Sequence, residues 1–135
     1  MGSIPYSRAI ETDRGFDEVL TATRAALADE GFGVLTEIDV KATMKARLGI
    51  DRDDYVILGA CNPPLAHAAL EAEPDLGVLL PCNVVVYRTG GRTRVSAVAA
   101  GQMLGMVGND ALAPVATEVG ERLERVLAAV AAAAG

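Results

Sequence analysis

Apolar residues recur along this chain with two different spacings, and each change of spacing marks the border between a strand and a helix. Alternation every second residue predicts strands, whereas apolar residues three and four positions apart predict helices. The predicted strands cover residues 3–12, 32–38, 55–60, 79–87 and 92–99. The predicted helices cover residues 15–30, 40–48 and 63–72, and a final helix begins at Asp110 or Pro114 and runs to the C-terminus. Residues 101–108 are predicted to form a loop.

Residues with strong positional preferences lie at the predicted ends of these elements. Asp39 and Asn62 are predicted N-caps, because a side-chain oxygen there can accept a hydrogen bond from a free amide of the first helical turn. Pro63 follows Asn62 at a position where the helix loses no amide hydrogen bond. Gly49 is a predicted left-handed C-cap, as is Gly31 after the first helix.

The order of elements predicts an α+β fold in a single domain covering residues 1–135. The order is β-α-β-α-β-α-β-β-α, with the helices packed on a single mixed or antiparallel sheet. Gly90-Gly91 predicts the hairpin between the last two strands. Pro81 predicts a bulge or an edge position in the fourth strand. The final helix has an unbroken apolar stripe from Val115 to Val130, which predicts that it belongs to the core.

Composition and charge narrow the class of partners. The chain is 51% apolar with no tryptophan, and its small side chains each bury little area, so we expect a homodimer that recovers burial between subunits. The formal charge of −6 argues against nucleic-acid binding. No polybasic run or long apolar segment predicts membrane association. Without a signal-peptide pattern at the N-terminus, we expect a soluble cytoplasmic protein with reduced cysteines.

The two cysteines lie at the ends of consecutive strands. Cys61 immediately precedes a helix N-terminus, where amide dipoles favour the thiolate. Cys82 opens the next strand, so antiparallel neighbours would bring the two residues together at one end of the sheet. We predict that Cys61, Asn62, Cys82 and Asn83 form a small-ligand site. The alternative interpretation is that both cysteines are small buried residues.

A metal is a second use for the same region. Cys61, Cys82 and the single histidine, His67, could bind a soft or borderline metal, with thioether ligands from Met103 and Met106 if their loop folds over the same end. The spacing matches no standard zinc motif, and methionine beside a core often fills gaps. No cofactor is otherwise indicated. The chain has no phosphate-loop, nucleophile-elbow or zinc-protease pattern, so we assign no catalytic residue and do not expect an enzyme.

Two long segments resemble a known family. GFGVLTEIDVKATMKARLGI and YVILGACNPPLAHAALEAEPDLGVLLPCNVVV resemble the family catalogued as domain of unknown function 302, over about residues 3–130. The resemblance implies a compact α+β fold with TATA-binding-protein-like topology and a homodimer, and it implies no biochemical function. Similar sequences often carry Asp-Pro after the fifth strand, where this chain has Ala100-Gly101.

Three hypotheses about function follow. The first is a dimeric binding or interaction module for an unknown small ligand, metal or protein partner, with its site near Cys61. The second is a thiol redox or sensor protein that uses Cys61, with Cys82 as the resolving partner. The third is a structural accessory dimer without a small-molecule site.

Overall fold

A five-stranded antiparallel sheet organises residues 5–133, the part of the chain that the computed structural model describes. The strand order is β1-β5-β4-β3-β2, so consecutive strands are neighbours except at β1, which pairs with β5. The strands are β1 (Ser7–Thr12), β2 (Gly33–Asp39), β3 (Tyr55–Cys61), β4 (Cys82–Thr89) and β5 (Arg92–Val98). The predicted α+β class and element order are therefore confirmed, with every strand pairing antiparallel.

The helices follow the predicted order, with one addition. They are α1 (Phe16–Asp29), α2 (Val40–Leu48), α3 (Pro63–Ala72), α4 (Ala100–Gly105) and α5 (Ala113–Ala132), with 3-10 helices at Pro74–Leu79 and Asp110–Leu112. None of the helices among residues 5–133 has the length and apolar character needed to cross a membrane.

The predicted caps are confirmed and explain where the helices begin and end. The Asp39 side chain accepts a hydrogen bond from the Ala42 amide at 2.9 Å, so α2 starts directly after β2. Gly49 ends α2 with φ 66°, a left-handed conformation that glycine adopts without a steric penalty. Gly31 has φ 83° after α1, as predicted.

One face of the sheet carries the core. Alternate residues of β3, β4 and β5 point to α1 and α5, whose apolar stripes cover them. The strand and helix residues of this core include Val19, Leu27, Leu58, Val84, Val86, Val95, Leu123, Val126 and Val130. All nine are at most 2% exposed. The prediction that the final helix belongs to the core is therefore confirmed, and Pro114 lies in its first turn.

Within residues 5–133 the other face of the sheet, which we call the open face, is more exposed than the core face. Cross-strand partners Ile38, Ile57, Val85 and Ser96 form one row of this face and are at least partly exposed. Tyr55 and Tyr87 are also partners here, and their rings stack with centroids 4.9 Å apart.

Two predicted segments differ from the structure. The prediction of a loop over 101–108 was wrong, because α4 occupies Ala100–Gly105 and buries Leu104 in a second apolar cluster. The predicted strand at 79–87 starts later, at Cys82, because a 3-10 helix precedes it and Pro81 has no amide hydrogen for a ladder bond. Ser3 and Ile4, the start of the predicted first strand, lie outside the described residues.

Candidate functional site

The end of β3 and the start of α3 place Cys61 and Asn62. The Asn62 side-chain oxygen accepts a hydrogen bond from the Leu65 amide at 3.3 Å, which confirms it as the α3 cap. Pro63 occupies the first turn, so the local sequence determines where the helix begins. Because its side-chain oxygen already accepts this hydrogen bond and the residue is buried, Asn62 has a structural role where β3 meets α3.

Cys61 and Cys82 lie close together, as predicted from antiparallel pairing. Ala60 is the cross-strand partner of Cys82, so Cys61 is one position beyond that pair. Both thiols are free; Cys61 is partly exposed and Cys82 is buried. Burial, and secondarily the neighbouring charge of Cys61, raise the pKa of the Cys82 thiol to about 11. Cys82 is therefore a neutral thiol at physiological pH, which makes it a poor nucleophile.

A small cavity separates these residues from α3 and α5, and we call it the thiol cavity. Cys61, Asn62 and Cys82 line it together with apolar side chains such as Leu65 and Leu80. Its volume is about 40 Å³. Pockets that hold small molecules typically measure about 300–1,000 Å³, so the thiol cavity has room for water and not for a metabolite.

The proposed metal ligands are not gathered around the thiol cavity. Among residues 5–133, histidine, cysteine, aspartate and glutamate side chains form no group of three or more that could hold a metal ion. His67 is exposed on α3 and does not line the cavity. Met103 and Met106 lie on and directly after α4, and both line a different depression, on the open face. The structure thus brings together the two cysteines and separates them from the histidine and from the methionines' cleft.

Asn83 lies apart from the other three predicted ligand-binding residues. It pairs with Gly59 and is exposed on the open face, whereas Cys82 points into the core. Successive residues of a strand point to opposite faces, which accounts for this separation. Asn83 is therefore a candidate for a site on the open face only.

A large depression lies on the open face, and we call it the open-face cleft. It has a volume of about 610 Å³, within the range typical of ligand pockets. Strands β4 and β5 form its floor through Val85, Tyr87 and Ser96. One wall comes from α4 and the residue after it, and another from the turn at Pro5 and Tyr6. Three residues singled out in the sequence, Asn83, Met103 and Met106, line this cleft.

Ser7, Tyr87 and Arg94 were missed as candidate site residues. Arg94 donates to the Glu11 carboxylate at 3.0 Å and is buried. A signal for this face was present in the run Val84-Val85-Val86, because a strand that is apolar on both sides indicates that both faces are covered. Ser7 carries no such signal, since its role depends on strands that meet only in the folded chain.

The protein is of the α+β class: five antiparallel strands form one sheet, with helices on one face and a cleft on the other. Within this class the chain belongs to the family described as domain of unknown function DUF302, whose model matches residues 8–130. It is similar to the crystal structure of the uncharacterized conserved protein DUF302 from Bacillus stearothermophilus. The two share 30% sequence identity with a TM-score of 0.85, over 92% of this chain and 97% of that one. No curated protein matches the chain.

Proposed function

We propose that this protein is a non-enzymatic homodimeric binding module, joined through the segment that contains β2, α2 and Ile50. We call residues 33–50 the edge arm. The observation that carries the proposal is the lack of burial along this arm. Helix α2 has no buried residue, and β2 has none either.

Such an arm gains little stability inside one subunit. A helix of nine residues is marginal in water unless its apolar side chains pack against something. Leu35 and Leu48 are 67% and 64% exposed. In addition, β2 is an edge strand, whose unpaired backbone groups are a template for pairing with another strand.

A second copy of this chain is the partner that the arm's charge favours. The chain has a formal charge of −6, which opposes self-association over most of its surface. The edge arm itself is nearly balanced, with three basic and two acidic residues. Ion pairs join Lys41 to Asp54 and Lys45 to Asp51, and Arg24 of α1 pairs with Glu37. A twofold axis beside β2 would place two such nearly neutral apolar arms against each other.

Sedimentation velocity tests the interface. We expect a dimer at tens of micromolar, on the order of common assay concentrations, and a monomer for the double variant Leu35→Glu with Leu48→Glu. Val78→Glu is the matched control, because Val78 is 86% exposed but lies outside the arm. Circular dichroism checks that each variant is folded. A wild-type monomer, or a folded double variant that remains dimeric, would show that the arm is not the interface.

Thiol chemistry at Cys61 is the second candidate function, favoured by its partial exposure beside Cys82. The high pKa of Cys82, about 11, disfavours it as a resolving thiolate at neutral pH. Peroxide treatment followed by mass spectrometry tests this function. Loss of two hydrogens in the wild type, absent in Cys61→Ser, would support an internal disulfide. Cytoplasmic location is part of either proposal, supported by the two free cysteines.

A further inference from the structure

The open-face cleft has walls as well as a floor, which distinguishes it from a flat sheet surface. Its floor is the open face of β4 and β5, and one side is closed by Gln102 and Met103 of α4 and by Met106, which follows the helix. Tyr6 closes another side. A concave site of about 610 Å³ suits a small molecule. A second sheet would not reach the floor of this site, because the walls lie between them.

A buried hydroxyl in the cleft has no partner. Ser7 is 5% exposed, and among the described residues its side-chain oxygen is the one buried side-chain oxygen or nitrogen without a hydrogen bond. Ser7 pairs with Val98 and lines the cleft. Buried polar atoms nearly always have a partner, because leaving one unsatisfied costs free energy. An unsatisfied hydroxyl on a residue that lines a concavity therefore indicates a hydrogen-bonding group of a ligand.

The remaining lining residues define the chemistry of that ligand. Of the described residues that line the cleft, only Arg94 is charged, and the Glu11 carboxylate at 3.0 Å neutralises it. Val85, Val98 and Met106 offer apolar surface. The Tyr87 ring, which stacks on the Tyr55 ring, offers an aromatic surface. Aromatic and apolar walls without a free charge favour a neutral aromatic molecule.

We propose that the open-face cleft binds a neutral aromatic small molecule that packs against Val85, Tyr87 and Met106 and hydrogen bonds with the Ser7 hydroxyl. This inference rests on the proposed function as a binding module and names the class of its ligand. The proposed small-molecule site therefore lies on the open face of the sheet and not in the thiol cavity.

Two fluorescent probes with the same ring system test the proposal on the full-length protein. N-phenylnaphthylamine is neutral and carries one N–H group, whereas anilinonaphthalene sulfonate adds an anionic group. We expect saturable fluorescence enhancement with N-phenylnaphthylamine at one site per subunit. The neutral probe should bind about tenfold more tightly than the sulfonate, because the cleft offers no unpaired cation. No saturable enhancement, or tighter binding of the sulfonate, would overturn the proposal.

Paired variants locate the site. Met106→Glu should weaken binding of the neutral probe about tenfold, because a carboxylate at the wall must lose water when the probe enters. Val78→Glu should leave binding unchanged. Both residues are highly exposed, at 73% and 86%, so neither change threatens the fold. Unchanged binding in Met106→Glu would place the probe elsewhere and overturn the proposal.

Ser7→Ala supplies a signature that a purely structural serine would not give. It should weaken the probe roughly three- to tenfold through the lost hydrogen bond, while leaving the unliganded protein as stable as the wild type or more stable. Undiminished probe binding in Ser7→Ala would overturn the proposed contact with the hydroxyl.

Sedimentation of the same samples separates this proposal from the proposed dimer. A dimer that binds no probe overturns the cleft proposal alone. A monomer that binds it supports the cleft and removes the edge arm as an interface. If Met106→Glu abolishes both the dimer and the probe binding, the cleft is a contact between copies and the small-molecule proposal fails.

Discussion

The ring of Pro81 lies against Gly59, with its Cγ atom 2.8 Å from the position that a Cβ atom on Gly59 would occupy. Thr36 of β2 approaches the same position more closely still. Gly59→Ala should therefore destabilise the protein by about 1–3 kcal/mol, because the proline ring cannot rotate away from an added methyl group. Urea unfolding measures the change.

Gly120→Ala is the control for this substitution. Gly120 lies within α5, and a methyl group added there would meet no atom within 4 Å beyond its own helix and its chain neighbours. Alanine favours a helix interior over glycine, so Gly120→Ala should leave stability unchanged or raise it by up to about 1 kcal/mol. Equal stability of Gly59→Ala and wild type would show that β3 can shift away from Pro81.

Leu123 tests how firmly α5 holds the sheet. Its side chain is 2% exposed in the main core, and Leu123→Ala should lower the free energy of unfolding by about 2–5 kcal/mol. Leu70→Ala is the control, because Leu70 lies on α3 and is 37% exposed. An unchanged melting temperature for Leu123→Ala would make α5 peripheral.

Local signals in the sequence predicted the fold well, because each acts between residues that are close together in the chain. Asp39, Gly49 and Asn62 each mark a boundary through contacts with residues at most four or five positions away. The closeness of Cys61 and Cys82 was also predictable, since it follows from antiparallel pairing of consecutive strands.

The features that the sequence did not predict depend on packing between residues that are far apart in the chain. Residues 101–108 were predicted to form a loop, and glycine, which α4 contains at positions 101 and 105, is a poor helix former. Helix α4 forms nevertheless, because Leu104 is buried in a cluster with Ala69, Leu76 and Leu112. The cleft depends on the same helix. Its parts come from the first strand, the last hairpin and α4, so no single stretch of sequence carries its pattern.

Asn62 tests whether the thiol corner is built for structure. Because its side chain caps α3, Asn62→Ala should destabilise the protein by about 0.5–2 kcal/mol. Asn62→Ser keeps an oxygen at the cap and should cost less. Thermal unfolding compares them. If Asn62→Ala were as stable as wild type, the cap would contribute nothing and Asn62 would be free to serve a ligand.

Cys82 makes the stability of this protein fall in alkali. Burial raises its thiol pKa from 9.0 to about 11, so the folded state holds the proton more tightly than the unfolded chain. The resulting stabilisation is fully present below the unfolded pKa of 9.0 and is lost as pH rises to about 11. A shift of this size is worth on the order of 2–3 kcal/mol. Between these pH values the unfolding free energy of the wild type should therefore fall by more than that of Cys82→Ala. A difference that stays constant with pH would show that the thiol ionises in the folded protein as readily as in the unfolded one.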